Sequence, residues 1–152
     1  MQKITPFLWF RDSLAEEAAN YYVSFIKDSK ITGRMSDPNG KALTVSFELA
    51  GQAFVALNDN PEFPFTHAIS LVINCQSQEE VDMYWDKFAE GGEPVMCGWI
   101  KDKYGVSWQV TPTILIEMLM DKDKVKAKRV FDAMSQMVKI DIAGLKKAYE
   151  GN

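Results

Sequence analysis

Few residues in this chain are equipped for chemistry, and their spacing narrows what that chemistry is. There is one histidine, His67, so any Ser-His or Cys-His nucleophile has to use that imidazole. Ser70 carries a hydroxyl without the GxSxG elbow that presents a nucleophile ahead of a helix. Cys75 and Cys97 are not in CxxC spacing and read as reduced, mostly buried thiols. The paired carboxylates Glu16-Glu17 and Glu79-Glu80 suggest acid-base work, but helix starts favour carboxylates at such positions, and that is the plainer reading. The stretch GWIKDKYGVSWQV, residues 98–110, reads as two short strands around the charged turn Asp102-Lys103-Tyr104-Gly105. It sets Gln109 between Trp108 and Val110, as a metal ligand, a substrate contact or a strand residue facing water. Strand alternation sends Trp108 and Gln109 to opposite faces, so burying the indole against a helix turns the amide the other way.

The elements that must position these groups come as a repeat. EEAANYYVSF (16–25) and EEVDMYWDKF (79–88) share EExxxYxxxF. Apolar residues fall at helical spacing in both: Leu14, Ala18, Tyr21, Tyr22 and Phe25, then Val81, Tyr84, Trp85 and Phe88. Both segments are expected to be amphipathic helices opened by capping boxes, Ser13 with Glu16 and Ser77 with Glu80. Strand-like segments precede them at similar distances, ITPFLWF (4–10) and HAISLVIN (67–74). After the first helix come KITGRMS (30–36), ALTVSFELA (42–50) and QAFVALN (52–58), separated by turns at Asp37-Pro38-Asn39-Gly40 and Ala50-Gly51. The first half reads βαβββ. The second, with EPVMCGWI and VSWQVTP after Gly91-Gly92, reads βαββ or βαβββ.

Beyond Pro112 the pattern turns helical in ILIEMLM, KVKAKRVFDAMSQMVK and IAGLKKAY. Ala127, Val130, Phe131, Met134 and Met137 form the expected core stripe, and the tail is expected to pack on the domain or on a partner. With 152 residues, 47% of them apolar, the chain suits one domain with a real core. A net charge of −4, with no basic cluster, argues against nucleic acid as a partner. No segment approaches a membrane span, and the short apolar run near the N-terminus is interrupted by Pro6, so no membrane partner and a cytoplasmic location are expected.

The tandem arrangement resembles the vicinal oxygen chelate superfamily, the glyoxalase and bleomycin-resistance fold. AEEAANYY, FELAGQAFVALN, EFPFTHAISLVINC, QEEVDMYWDKF, CGWIKDKYGVSWQVTP and KIDIAGLKKAY resemble its PhnB-like branch, whose members often carry the label 3-demethylubiquinone-9 3-methyltransferase. The resemblance implies an α+β fold in which tandem βαβββ modules, 1–60 and 66–112, form a curved mixed-sheet cup followed by a helical extension, 113–152. It also implies a homodimer and a small-molecule ligand. Gln109 falls where that superfamily commonly has a glutamate metal ligand, and His67 or Ala68 falls near another ligand position. The first and fourth strands offer only Ile4, Thr5, Pro6 and Phe54, Val55, Ala56 there. Three or four converging donors are needed, so no assured metal is expected, with a divalent ion on His67 and Gln109 as the alternative. Asn58, Phe63, Ser70, Trp99 and Gln109 are the candidate substrate contacts, aromatic walls with a few amides and a hydroxyl. The function expected is small-molecule binding or catalysis. The alternatives are a metal-dependent lyase, isomerase or dioxygenase and an antibiotic-sequestering binding protein. An adenosylmethionine-dependent methyltransferase of the usual kind is not expected despite the label, because no glycine-rich strand-to-helix turn occurs.

Overall fold

The computed structural model describes residues 2–152, in which the chain divides between Pro64 and Phe65 into two compact units. The first contains β1 (Phe7–Trp9), α1 (Ala15–Phe25), β2 (Lys30–Ser36), β3 (Ala42–Leu49) and β4 (Gln52–Leu57). They form one sheet in the order β1-β4-β3-β2, with β1 parallel to β4 and the remaining pairs antiparallel. Alternation along β3 buries Val45, Phe47 and Leu49, and Phe47 stacks on Tyr22 of α1 at 6.3 Å. Both expected turns form. Asp37 Oδ1 accepts from the amides of Asn39 and Lys41, and Ala50 and Gly51 both take positive φ in the two-residue hairpin loop, where the strand twist favours it.

The second unit contains β5 (Leu71–Cys75), α2 (Gln78–Ala89), β6 (Glu93–Pro94), β7 (Trp99–Lys101) and β8 (Ser107–Pro112), in the order β5-β8-β7-β6. Here β5 is parallel to β8, so the module repeats the first and is βαβββ. The expected core residues of α2, namely Val81, Tyr84, Trp85 and Phe88, are buried. The tail forms α3 (Thr113–Leu119), α4 (Lys124–Met134) and α5 (Ile142–Glu150).

Three local expectations need correction. The capping box at Ser13 is absent: Asp12 and Ser13 both take left-handed φ, α1 starts at Ala15, and no side chain of its N-cap residue Leu14 closes the helix. The tight reversal out of β1 removes Ser13 from the first turn, and Asn58 Oδ1 accepts from Ala15 N at 2.9 Å instead. At α2 the cap does form, with Ser77 Oγ accepting from Glu80 N, while the Glu80 carboxylate accepts from Gln76 N.

Second, the strands are shorter than their apolar runs. Residues 67–70 precede β5 as a turn and an extended lead-in, so alternation does not decide where His67 points. Between β6 and β7, Cys97 and Gly98 both take positive φ. A Cβ on Gly98 would lie 2.9 Å from both Val110 O and Ile140 Cγ1, so the tail closes over a position only glycine fits.

Third, α4 ends at Met134, before Met137, and Phe131 is 55% exposed. The α4 stripe that packs on α3 and α5 is narrow: Val130 is buried with Leu115, Met118, Ile140 and Leu145, and Met134 and Met137 pack against them. The tail belongs to the second unit. The carbonyls of Met137 and Val138 accept from the amides of Cys97 and Gly98, the Gln78 amide bridges Ile140 O and Ile142 N, and Lys139 pairs with Asp82 at 2.7 Å.

Both cysteines are free. Cys75 is fully buried at the end of β5, where burial, and secondarily the Glu80 carboxylate, push its thiol up to about 12. The thiolate is the reactive form, so Cys75 stays protonated and inert at neutral pH, whereas Cys97 is partly exposed. Iodoacetamide should label one thiol in the native protein and two in denaturant, with peptide mapping placing the first on Cys97. Equal native labelling of both would contradict the burial of Cys75.

Candidate functional site

The hairpin from β7 to β8 is rigid for a local reason. Asp102, 2% exposed, accepts from the amides of Tyr104 and Val106 with Oδ1 and from Trp108 Nε1 with Oδ2 at 2.9 Å. The indole held in this way stacks on Phe88 of α2 at 4.5 Å between centroids. Trp108 therefore faces the helix, and alternation turns Ser107 and Gln109 to the helix-free face of the second sheet.

On that face two pairs form. Gln109 Nε2 donates to Ser70 Oγ at 2.9 Å, and Ser107 Oγ lies 2.7 Å from His67 Nδ1. Trp99 is the cross-strand partner of Gln109, and its ring meets the His67 ring edge-on at 6.3 Å. Lys101, opposite Ser107, is ion-paired with Glu93 at 2.7 Å. The face thus collects an imidazole, two hydroxyls, an amide, an indole and an ammonium–carboxylate pair.

His67, Ser70, Trp99 and Gln109 are brought together within the second unit. The other two candidates lie in the first. Phe63 is 63% exposed, 5.6 Å from the Trp9 ring, and held by Asn60, whose side chain bonds both its amide and its carbonyl. Asn58 is buried, and its side chain is committed to the backbone, accepting from Ala15 N and donating to Ala42 O. Ser107 escaped sequence reading. The signal was present in its spacing, because Ser107 and Gln109 are two residues apart and share a face, but the pairing with His67 spans 40 positions.

These residues do not fit a divalent-metal centre. Such a centre takes three or four converging donors, and this face supplies one imidazole and one amide, each already bonded to a serine, and one carboxylate, Glu93, already paired with Lys101. Among the described residues no group of three or more His, Cys, Asp or Glu is placed to hold a metal ion.

The order of strands and helices, repeated in both units, can be set beside known proteins. The family model described as 3-demethylubiquinone-9 3-methyltransferase matches residues 2–111, through both βαβββ modules. The chain belongs to this family. A putative 3-demethylubiquinone-9 3-methyltransferase, PhnB protein, from Bacillus cereus is 38% identical, with 74% of this chain and 100% of that one covered and a TM-score of 0.68. The genomically encoded fosfomycin resistance protein FosX from Listeria monocytogenes is 18% identical, covering 79% and 98%, with a TM-score of 0.58, which places the 3-demethylubiquinone-9 3-methyltransferase family chain in the glyoxalase and bleomycin-resistance fold. A FosX structure complexed with Mn(II) and a sulfate ion is 19% identical, covering 71% and 90%, with a TM-score of 0.52. No curated protein matches the chain. Among the described residues no helix is long and apolar enough to cross a membrane.

Proposed function

We propose that this family member binds a small organic molecule on the helix-free face of its second sheet, without a resident catalytic metal. The observation that carries the reading is the Gln109-to-Ser70 hydrogen bond beside Trp99: an amide and a hydroxyl held in fixed orientation next to an aromatic wall. Such a combination orients a ligand through polar groups while the ring supplies contact area. Phe63, exposed in the first unit, is no part of this face, and Asn58, in the same unit, has both side-chain polar atoms committed to the backbone. The metal-free part of the reading rests on the donor set, since the imidazole and the amide of this face are each engaged by a serine and its carboxylate, Glu93, by Lys101.

The family label names a methyltransferase. The fold is a pair of four-stranded mixed sheets, and the doubly wound parallel sheet that usually cradles adenosylmethionine has a different strand order. A homodimer belongs to the same proposal on the strength of the resemblance, and a cytoplasmic location fits two unpaired cysteines.

The test is a thermal-shift screen followed by titration of whatever ligand it finds. Gln109→Ala and Trp99→Ala should each weaken that ligand about tenfold, the loss of roughly one oriented polar or aromatic contact, with melting temperature nearly unchanged. Unaltered affinity in both variants moves the site elsewhere. Stoichiometric metal in protein purified without a histidine tag, and lost on His67→Ala, would overturn the metal-free reading.

A further inference from the structure

Ser107 is the residue of this face that cannot reach a ligand: it is 2% exposed, and among the described residues its hydroxyl has one hydrogen-bond partner, His67 Nδ1. A buried hydroxyl hydrogen left without an acceptor is costly. The ring nitrogen is the acceptor at hand, so Ser107 donates and Nδ1 accepts, and a neutral imidazole then carries its proton on Nε2. His67 itself is exposed. The second pair has the same polarity. Ser70 Oγ accepts from Gln109 Nε2, which leaves the Ser70 hydroxyl proton free to donate in turn. The anchors of the two pairs, Ser107 and Gln109, stand about 6.7 Å apart along β8, and Trp99 faces the second of them.

We infer that His67 and Ser70 form a donor pair that selects ligands bearing acceptor oxygens, carbonyl or carboxylate, beside an apolar group on Trp99, with Ser107 fixing the His67 tautomer. This rests on the small-molecule reading of the same face and adds the ligand's chemical class. It also gives a positive reason for the poor metal fit. A metal on Nε2 would need the proton on Nδ1, and the buried Ser107 hydroxyl would then lose its acceptor.

Because the chain has one histidine, its imidazole signals are assigned without mutagenesis. Long-range proton–nitrogen correlation of the whole protein at alkaline pH should show a pyrrole-type Nε2 and a pyridine-type Nδ1. Ser107→Ala, nearly isosteric, should return a mixture of tautomers. A pyrrole-type Nδ1 in the wild type overturns the assignment whether or not the variant folds. Benzoate and benzamide then serve as acceptor probes, with benzylamine as the donor counterpart. Benzoate or benzamide should shift the His67 and Trp99 signals, and His67→Ala should weaken the response at least fivefold. Response to benzylamine alone, or to neither acceptor, overturns the inferred class. If Nδ1 is protonated while Gln109→Ala and Trp99→Ala still weaken a screened ligand, the donor assignment fails and the small-molecule reading survives. If those variants leave the ligand untouched, both fail.

Discussion

Gly92→Ala is expected to be the most damaging glycine-to-alanine change in this protein. A Cβ at Gly92 would lie 2.2 Å from Phe88 O, 2.5 Å from Lys101 O and 3.3 Å from Asp102 Cα. All three are backbone atoms, so no side-chain rotation relieves the overlap. The end of α2 and the start of the Asp102 turn would have to separate, although Asp102 is buried and holds both that turn and Trp108. Overpacking of this kind costs about 3 kcal/mol or more. For a chain of this length that corresponds to a fall in melting temperature of roughly 10 °C. Gly40→Ala is the control: its φ is +83°, but nothing lies within 4 Å of the added atom, so it should cost about 1 kcal/mol of backbone strain. Thermal unfolding followed by circular dichroism compares the two, and a Gly92→Ala protein as stable as the Gly40→Ala one would contradict the packing described.

Asn58→Ala should be nearly as costly, and its damage should be local. The side chain bonds Ala15 N and Ala42 O, each at 2.9 Å, so truncation takes a partner from each of two buried backbone groups. At about 1–2 kcal/mol for each lost partner, the expected loss is roughly 2–4 kcal/mol. Asn58→Asp keeps an acceptor for Ala15 but turns an oxygen toward the Ala42 carbonyl, so it should not rescue stability. Hydrogen exchange is the discriminating measurement: amides in the first turn of α1 should exchange faster, while those of α2, capped by Ser77, stay protected. Acceleration confined to neither helix, or an Asn58→Ala protein of wild-type stability, would remove the remote cap from the account.

The contrast between these two helices explains what could be read in advance. Ser77 and Glu80 cap α2 from three residues away, a distance within which sequence spacing sets geometry. The same spacing at Ser13 and Glu16 fails because the preceding turn puts Asp12 and Ser13 in left-handed backbone, and the replacement cap comes from 43 residues downstream. Asn58 looked like a ligand contact for the same reason: a strand-end amide carries no local sign of whether its partner is a ligand or a distant helix.

By itself the sequence determined the βαβββ order of the first half and the strand–helix start of the second, the turns at residues 37–40 and 50–51, the α2 core and the opposite facing of Trp108 and Gln109. Each follows from periodicity or turn chemistry acting over a few residues. The structure settled the second half as βαβββ. Only the tertiary structure decided that Ser107 holds His67, that Ser70 accepts from Gln109, that Asn58 closes α1 and that the tail seals Gly98. Those outcomes depend on strand register and on which backbone groups burial leaves in need of a partner. Hydrogen bonding across 39 to 64 positions is settled by that need and leaves no periodic trace in the chain.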